Sequence, residues 1–278
     1  MTKNDPVEQA LDRLGEFRHK PPSDLGEVRA FLRSRSNLVV SKAAKLCAEM
    51  DARSLIPDLL DAFERLMADT PRLDKRCAAV SEIIAALYQL DYSEPAPYLR
   101  SMRHRQLEAS FGPPVDAAAK LRGLGAQGLL RTRHPDALHE AVPLLVDKEP
   151  PARIGAVRAL AANGGDAGRL LLELKTLVGD QEPEVMAECF AGLLSDGAER
   201  LVTSVAQYLD SEDPALVEAA ILALVLISVV KDATMQTAAD AVEALSVYRS
   251  NDRIRDLLAE TIAERNQPTL MDCFRLRF

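Results

Sequence analysis

Pro150-Pro-Ala-Arg-Ile-Gly-Ala-Val-Arg-Ala-Leu160 decides the fold once it is set beside Pro183-Glu-Val-Met-Ala-Glu-Cys-Phe-Ala-Gly-Leu193 and Pro214-Ala-Leu-Val-Glu-Ala-Ala-Ile-Leu-Ala-Leu224. The three stretches align on their prolines without a gap. Two residues on stand Ala152, Val185 and Leu216; six on, Ala156, Cys189 and Ala220; seven on, Val157, Phe190 and Ile221; ten on, Leu160, Leu193 and Leu224. These offsets recur at helical spacing and form one apolar stripe, with small residues at six and nine that let a neighbouring helix approach closely. Proline suits a first helical turn. Before each proline an apolar pair and an acid (Leu145-Val-Asp147, Leu177-Val-Gly-Asp180, Tyr208-Leu-Asp210) end a preceding helix and enter a turn. The unit is therefore helix, tight turn, helix.

Proline spacings of 33 and 31 residues fit a two-helix repeat. The order acid, short turn, proline, apolar, Ala, Ala-Leu resembles the HEAT-repeat family over residues 135–227. The resemblance implies an all-α fold: an α-solenoid, a right-handed superhelix of about six or seven HEAT-like helix pairs, forming a single domain over 1–278 with the clearest repeats at 135–265. Such repeats often carry an arginine early in the second helix that pairs with turn acids. In the proline register Arg153 holds that place, with Met186 and Val217 at the equivalent positions. Upstream, Pro114-Val-Asp-Ala-Ala-Ala-Lys-Leu-Arg-Gly-Leu124 set on the same register keeps Leu121 at seven and Leu124 at ten, while 74–87 keeps only the general pattern. Tetratricopeptide repeats compete least well, because their pattern calls for Trp and the chain has none.

The ends read as caps. Val7, Leu11, Leu14 and Phe17 stand near helical spacing before Pro21-Pro22, so residues 1–20 are expected to form an N-terminal capping helix. Downstream, Ala233–Val247 and Asn251–Ala263 read as one more pair, and Met271–Phe278 as a C-terminal cap or an apolar tail that docks on a partner.

Composition agrees. Apolar residues make up 47% of 278 and aromatics 4%, which favours helices over strands. The longest apolar run, Ala219–Val230, is too short to span a bilayer, and no apolar leader opens the sequence, so a soluble cytoplasmic protein is expected. Cys47, Cys77, Cys189 and Cys273 stand far apart without a CxxC pair and read as core residues. The net charge of −8 is uneven: residues 1–139 carry 21 basic and 19 acidic side chains, and 140–278 carry 13 and 23. A duplex-binding protein concentrates positive charge, so nucleic acid ranks last among the partners considered.

The rhythm breaks between Tyr98 and Pro114, where Arg100, Arg103, His104 and Arg105 lead to the loop signal Ser110-Phe-Gly-Pro-Pro114. With Lys120, Arg122, Arg131 and Arg133 this region offers a basic patch against Glu108 and Asp116, or else a solvated set of arginines. Gly123-Leu-Gly-Ala-Gln-Gly128 has GxGxxG spacing, but a strong helix former precedes it in place of a strand. Close helix contact is the better reading. His134, His139 and Glu140 are poorly spaced for shared ligation; the HEAT-like iron enzyme deoxyhypusine hydroxylase is built on several His-Glu pairs and this sequence has one. No catalytic residue, cofactor or metal is therefore expected.

These readings lead to a non-enzymatic scaffold that binds a protein or peptide on its concave surface through Arg153, Arg158, Glu184, Glu188 and Glu218, the acidic C-terminal half suggesting a basic partner segment, with Arg103, Arg105, Arg122, Arg131 and Arg133 as a second candidate patch. Resemblance to HEAT-like phycobilin lyase subunits implies an alternative that handles a chromophore or metal. Resemblance in repeat type to HEAT-like alkylpurine DNA glycosylases implies a nucleic-acid alternative on the basic segment.

Overall fold

The computed structural model describes residues 5–20, 22, 24–194, 202 and 205–229. The downstream pair expected at 233–263, the terminal segment 271–278 and Cys273 lie outside them. The chain divides into two compact units, 1–159 and 160–278.

The first unit begins with α1 (Pro6–His19), capped by Asp5, whose side chain accepts from Val7 N at 3.0 Å. It buries Leu14 and Phe17 and packs on α3. Helix pairs follow: α2 (Gly26–Leu32) with α3 (Asn37–Glu49), α4 (Ile56–Met67) and the single turn α5 (Thr70–Leu73) with α6 (Ala78–Gln89), α7 (Ala96–Arg103) with α8 (Ala119–Arg131), and α9 (Ala137–Ala141), continued by a 3-10 segment (Val142–Val146), with α10 (Pro150–Asn163). The second helices pack on one another in order, α3 on α6 and α6 on α8, while the first helices α2 and α4 make a second row.

The offsets explain the burial of the second helices. Counting from Cys77, places two, six, seven, nine and ten hold Ala79, Ile83, Ile84, Ala86 and Leu87; from Pro150 they hold Ala152, Ala156, Val157, Ala159 and Leu160; all are buried. The register assigned to the segment after Pro114 is corrected by the structure. Helix α8 starts at Ala119, and counting from there the same places hold Leu121, Gly125, Ala126, Gly128 and Leu129, all buried. The five residues from Pro114 to Ala118 belong to the inserted loop, whose chain still has to descend from a hairpin before it can turn helical.

Glycine spacing in α8 reflects packing. A Cβ on Gly123 would lie 2.9 Å from Gly155 Cα, and one on Gly128 would overlap the Tyr98 ring. The GxGxxG pattern therefore lies inside a helix pressed by α7 and α10, as the close-contact reading expects.

The second unit holds α11 (Gly165–Val178), α12 (Pro183–Leu194), a 3-10 turn (Gln207–Asp210) and α13 (Pro214–Val229). α12 packs on α11 and on α13. Val185, Cys189, Phe190, Leu193, Ala220, Ile221 and Leu224 are buried, and Leu216 is half-buried. The Phe190 and Tyr208 rings lie 4.8 Å apart, and Tyr208 donates to Thr176 O at 3.2 Å.

Strand structure among the described residues is one two-stranded hairpin, β1 (Leu107–Glu108) antiparallel to β2 (Val115–Asp116), with Leu107 opposite Asp116 and Glu108 opposite Val115. The fold is all-α with this hairpin inserted between α7 and α8. No helix of the described residues is long and apolar enough to cross a membrane.

Candidate functional site

Two features meet where α7 ends: a buried ion network beneath the hairpin, and an open groove beside it.

The network centres on Arg122, which is 0% exposed. Its Nε and Nη2 donate to the two oxygens of Asp147 at 3.0 and 2.8 Å, and its Nη1 donates to Asp116 at 2.8 Å and to His104 O at 3.2 Å. Asp116 also accepts from the backbone N–H of Gln106 at 3.1 Å and of Ala118 at 3.0 Å. Arg105 donates to Asp147 at 3.0 Å, and Arg153 donates to Asp147 O at 2.8 Å. An unpaired buried guanidinium would cost several kcal/mol, about 3–5 when one partner of such a pair is lost. Here every charge has its complement. Burial drives the Asp147 carboxyl up, but the hydrogen bonds from Arg122 and Glu149 N, with the positive charges of Arg122 and Arg105, outweigh it and hold the group below its ordinary value.

The next turn upstream is built in a related way. Asp74, wholly buried, accepts from Ala79 N at 3.0 Å and Val80 N at 2.8 Å, capping α6 from across a turn in which Arg76 and Cys77 take positive φ. Gln106 Nε2 donates to Asp74 O at 3.2 Å and to Glu108 at 2.6 Å, and Glu108 accepts from Arg76 N at 2.6 Å. The backbone N–H of Arg76 is the main cause holding the Glu108 carboxyl low, against the opposing effect of burial, with help from Gln106. The hairpin is thus tied to both neighbouring pairs.

The groove has a volume of about 490 Å³ and is lined by Met67, Ala96, Leu99, Arg100, Arg103 and His104. Its apolar lining comes from the end of α4 and one side of α7, and its cationic rim from the last turn of α7. Arg100 pairs with Glu64, donates to Met67 O at 3.1 Å and lies 5.9 Å from the Phe63 ring centre. Arg103 pairs with Glu140 on α9. Three of the four carboxylates and guanidiniums in these pairs keep much of their surface in water, so the pairs are weak and exchangeable.

These placements sort the expected residues. Arg103, Arg105 and Arg122 gather around 104–116, and Arg153 joins them through Asp147. Arg122 and Arg153 are buried and unable to meet a partner, which corrects their assignment to a binding surface; Arg122 is also the ladder arginine that the proline register missed. Arg131 lies at the far end of α8, paired with Asp91 and stacked 4.7 Å from the Tyr88 ring centre, and Arg133 stands exposed beyond it with φ +58°. Arg158, Glu184 and Glu218 are exposed and Glu188 is half-buried, the glutamates all in the second unit. Arg100, Arg103, Arg105, Arg122 and Arg131 each face a carboxylate, which removes most of the free positive charge that a phosphate backbone would need.

Glu140, the carboxylate beside His139, is engaged by Arg103. Among the described residues no group of three or more His, Cys, Asp or Glu side chains could hold a metal ion. Cys47, Cys77 and Cys189 are free and buried, and burial pushes each thiol up to about 12, so none is a thiolate at neutral pH.

No protein-family model and no curated protein matches the chain. Among solved structures it is similar to human deoxyhypusine hydroxylase in complex with glycerol, at 16% identity and a TM-score of 0.33, over 98% of this chain and 92% of that one. The structure matched is that of an enzyme, against the expectation of a non-enzymatic scaffold. At this TM-score the likeness places no residue and assigns no chemistry.

Proposed function

We propose that this chain is a HEAT-like α-solenoid that handles an anionic, amphipathic small molecule of the carboxylate-bearing chromophore class in the groove along α7. The observation that carries the reading is the groove itself. Its volume of about 490 Å³ falls within the roughly 300–1,000 Å³ usual for small-molecule sites, Met67, Ala96 and Leu99 offer an apolar floor, and Arg100 and Arg103 stand at its rim. A ligand carboxylate displaces the exposed Glu64 from Arg100, which stays anchored on Met67 O and keeps its orientation. The apolar body of the ligand covers Leu99 and Met67. The solenoid part of the reading rests on the burial offsets, which recur in α6, α8, α10, α12 and α13.

Titration with biliverdin, a linear tetrapyrrole with two propionates, followed by absorbance, tests the reading. Binding should weaken by at least about tenfold in Arg100→Glu/Arg103→Glu, the loss expected for one charge-assisted contact, and the dimethyl ester should bind no better than that variant. Equal binding of acid and ester, or no binding of either, contradicts the proposal.

A further inference from the structure

The two acids at the rim of the groove hold their arginines in different ways. Arg100 meets Glu64 of α4 through Nη1 alone, while its Nη2 donates to Met67 O at 3.1 Å. Both partners of that pair stand in water, with side-chain exposures of 40% for Arg100 and 65% for Glu64. Arg103 instead turns two donors on Glu140 of α9, Nε to one carboxylate oxygen at 3.4 Å and Nη2 to the other, and Glu140 is only 26% exposed. A guanidinium and a carboxylate joined fork to fork hold one another more firmly, and in a more defined orientation, than a pair sharing one contact. An exposed single contact contributes little.

We propose that the groove reads a single carboxylate, at Arg100, and that Glu64 is the built-in competitor for that position, while Arg103 and Glu140 stay clasped and tie α7 to α9 beside it. When Glu64 leaves, Arg100 keeps its second anchor on Met67 O, so Nη1 is already aimed for an incoming anion. Arg103 has both of its engaged donors on one carboxylate, and an anion bound there has to break the whole fork. Met67, Ala96 and Leu99 take the apolar body of the ligand beside Arg100. The ligand class is therefore an amphipathic molecule of which one carboxylate is used, a monoanion serving as well as a dianion. Glu64 also sets the affinity, because the site is open only in the fraction of molecules in which Arg100 is free of it. The inference rests on the ligand reading above and adds to it the specificity and the regulation of the same groove.

Absorbance titrations of the full chain with biliverdin, its monomethyl ester and its dimethyl ester, in the wild type and in Glu64→Gln, test it. The wild type should bind diacid and monoester within about twofold of one another, since each makes one charge-assisted contact, and the dimethyl ester at least about tenfold more weakly. Glu64→Gln should tighten both acids by about three- to fivefold, the ratio that loss of an exposed ion pair supplies. It should leave the dimethyl ester unchanged and melt at the wild-type temperature. A monoester bound at least about tenfold more weakly than the diacid shows a second carboxylate read at the rim and overturns the proposal, with the ligand reading intact. Acids bound no more tightly by Glu64→Gln, or a dimethyl ester tightened as much as the acids, overturns it as well and again leaves the ligand reading standing. Failure of all three compounds to bind either protein removes the ligand reading and this inference together.

Discussion

The entry to α8 and the entry to α12 perform the same task in different ways. Both reverse the chain into a second helix, and both place an acid at the turn. Before α12 the turn is short, and Asp180 pairs with Lys175 from the end of α11 at 2.7 Å. Before α8 the chain runs from His104 to Ala118, and Asp116 pairs with a guanidinium wholly removed from water that also holds Asp147 of the following pair. The short reversal is met by a buried ion pair between residues five apart. A long hairpin with an exposed tip is secured by a buried network joining successive helix pairs, and fixing a tip that covers nothing points to use of the tip.

Cutting the network should have the largest effect. Arg122→Met leaves the buried Asp116 and Asp147 with the exposed Arg105 as their remaining guanidinium partner and should destabilise the first unit by about 3 kcal/mol in urea unfolding. Lys175→Met, its counterpart, should cost less, because it strands one buried carboxylate that keeps its hydrogen bond from Glu182 N, where Arg122 serves two. A comparable loss would erase the distinction between the two turns. Overpacking comes next: Gly128→Val drives a side chain into the Tyr98 ring and should cost about 1–3 kcal/mol.

The pH response should report the network before α8. Asp147 is held below its ordinary value in the folded chain, so its contribution is present above the unfolded carboxylate pKa near about 4 and is lost as pH falls through the lower folded value. Urea midpoints measured downward from pH 5 should fall in the wild type and more shallowly in Asp147→Asn. Parallel curves would show that the network carries no such linkage. The smallest effect belongs to the tip: Phe111→Ser should leave stability within about 0.5 kcal/mol, since that ring buries nothing within the chain.

Much of this was readable in the sequence where neighbours repeat one another. Pro150, Pro183 and Pro214 share one set of offsets because each second helix buries the same face, and nearly all of those positions are buried. The segment after Pro114 misled because a hairpin displaces the helix start to Ala119. A better guide lay in the acids: Asp116 and Arg122 stand six apart, as do Asp147 and Arg153, and that spacing marks Arg122 as a ladder residue. The groove was not legible, because Met67, Glu64 and Glu140 reach α7 from helices distant in sequence. Only its basic rim, Arg100, Arg103 and His104, announced itself, and the partners that partly neutralise it did not.

Hydrogen exchange across residues 104–118 tests most directly whether the hairpin is an anchored element. The account predicts protection of the Gln106, Ala117 and Ala118 amides in the wild type, exchange about a hundredfold faster in Arg122→Met, and no change over 183–194. Rapid exchange in the wild type, or unaltered protection once Arg122 is replaced, would contradict it.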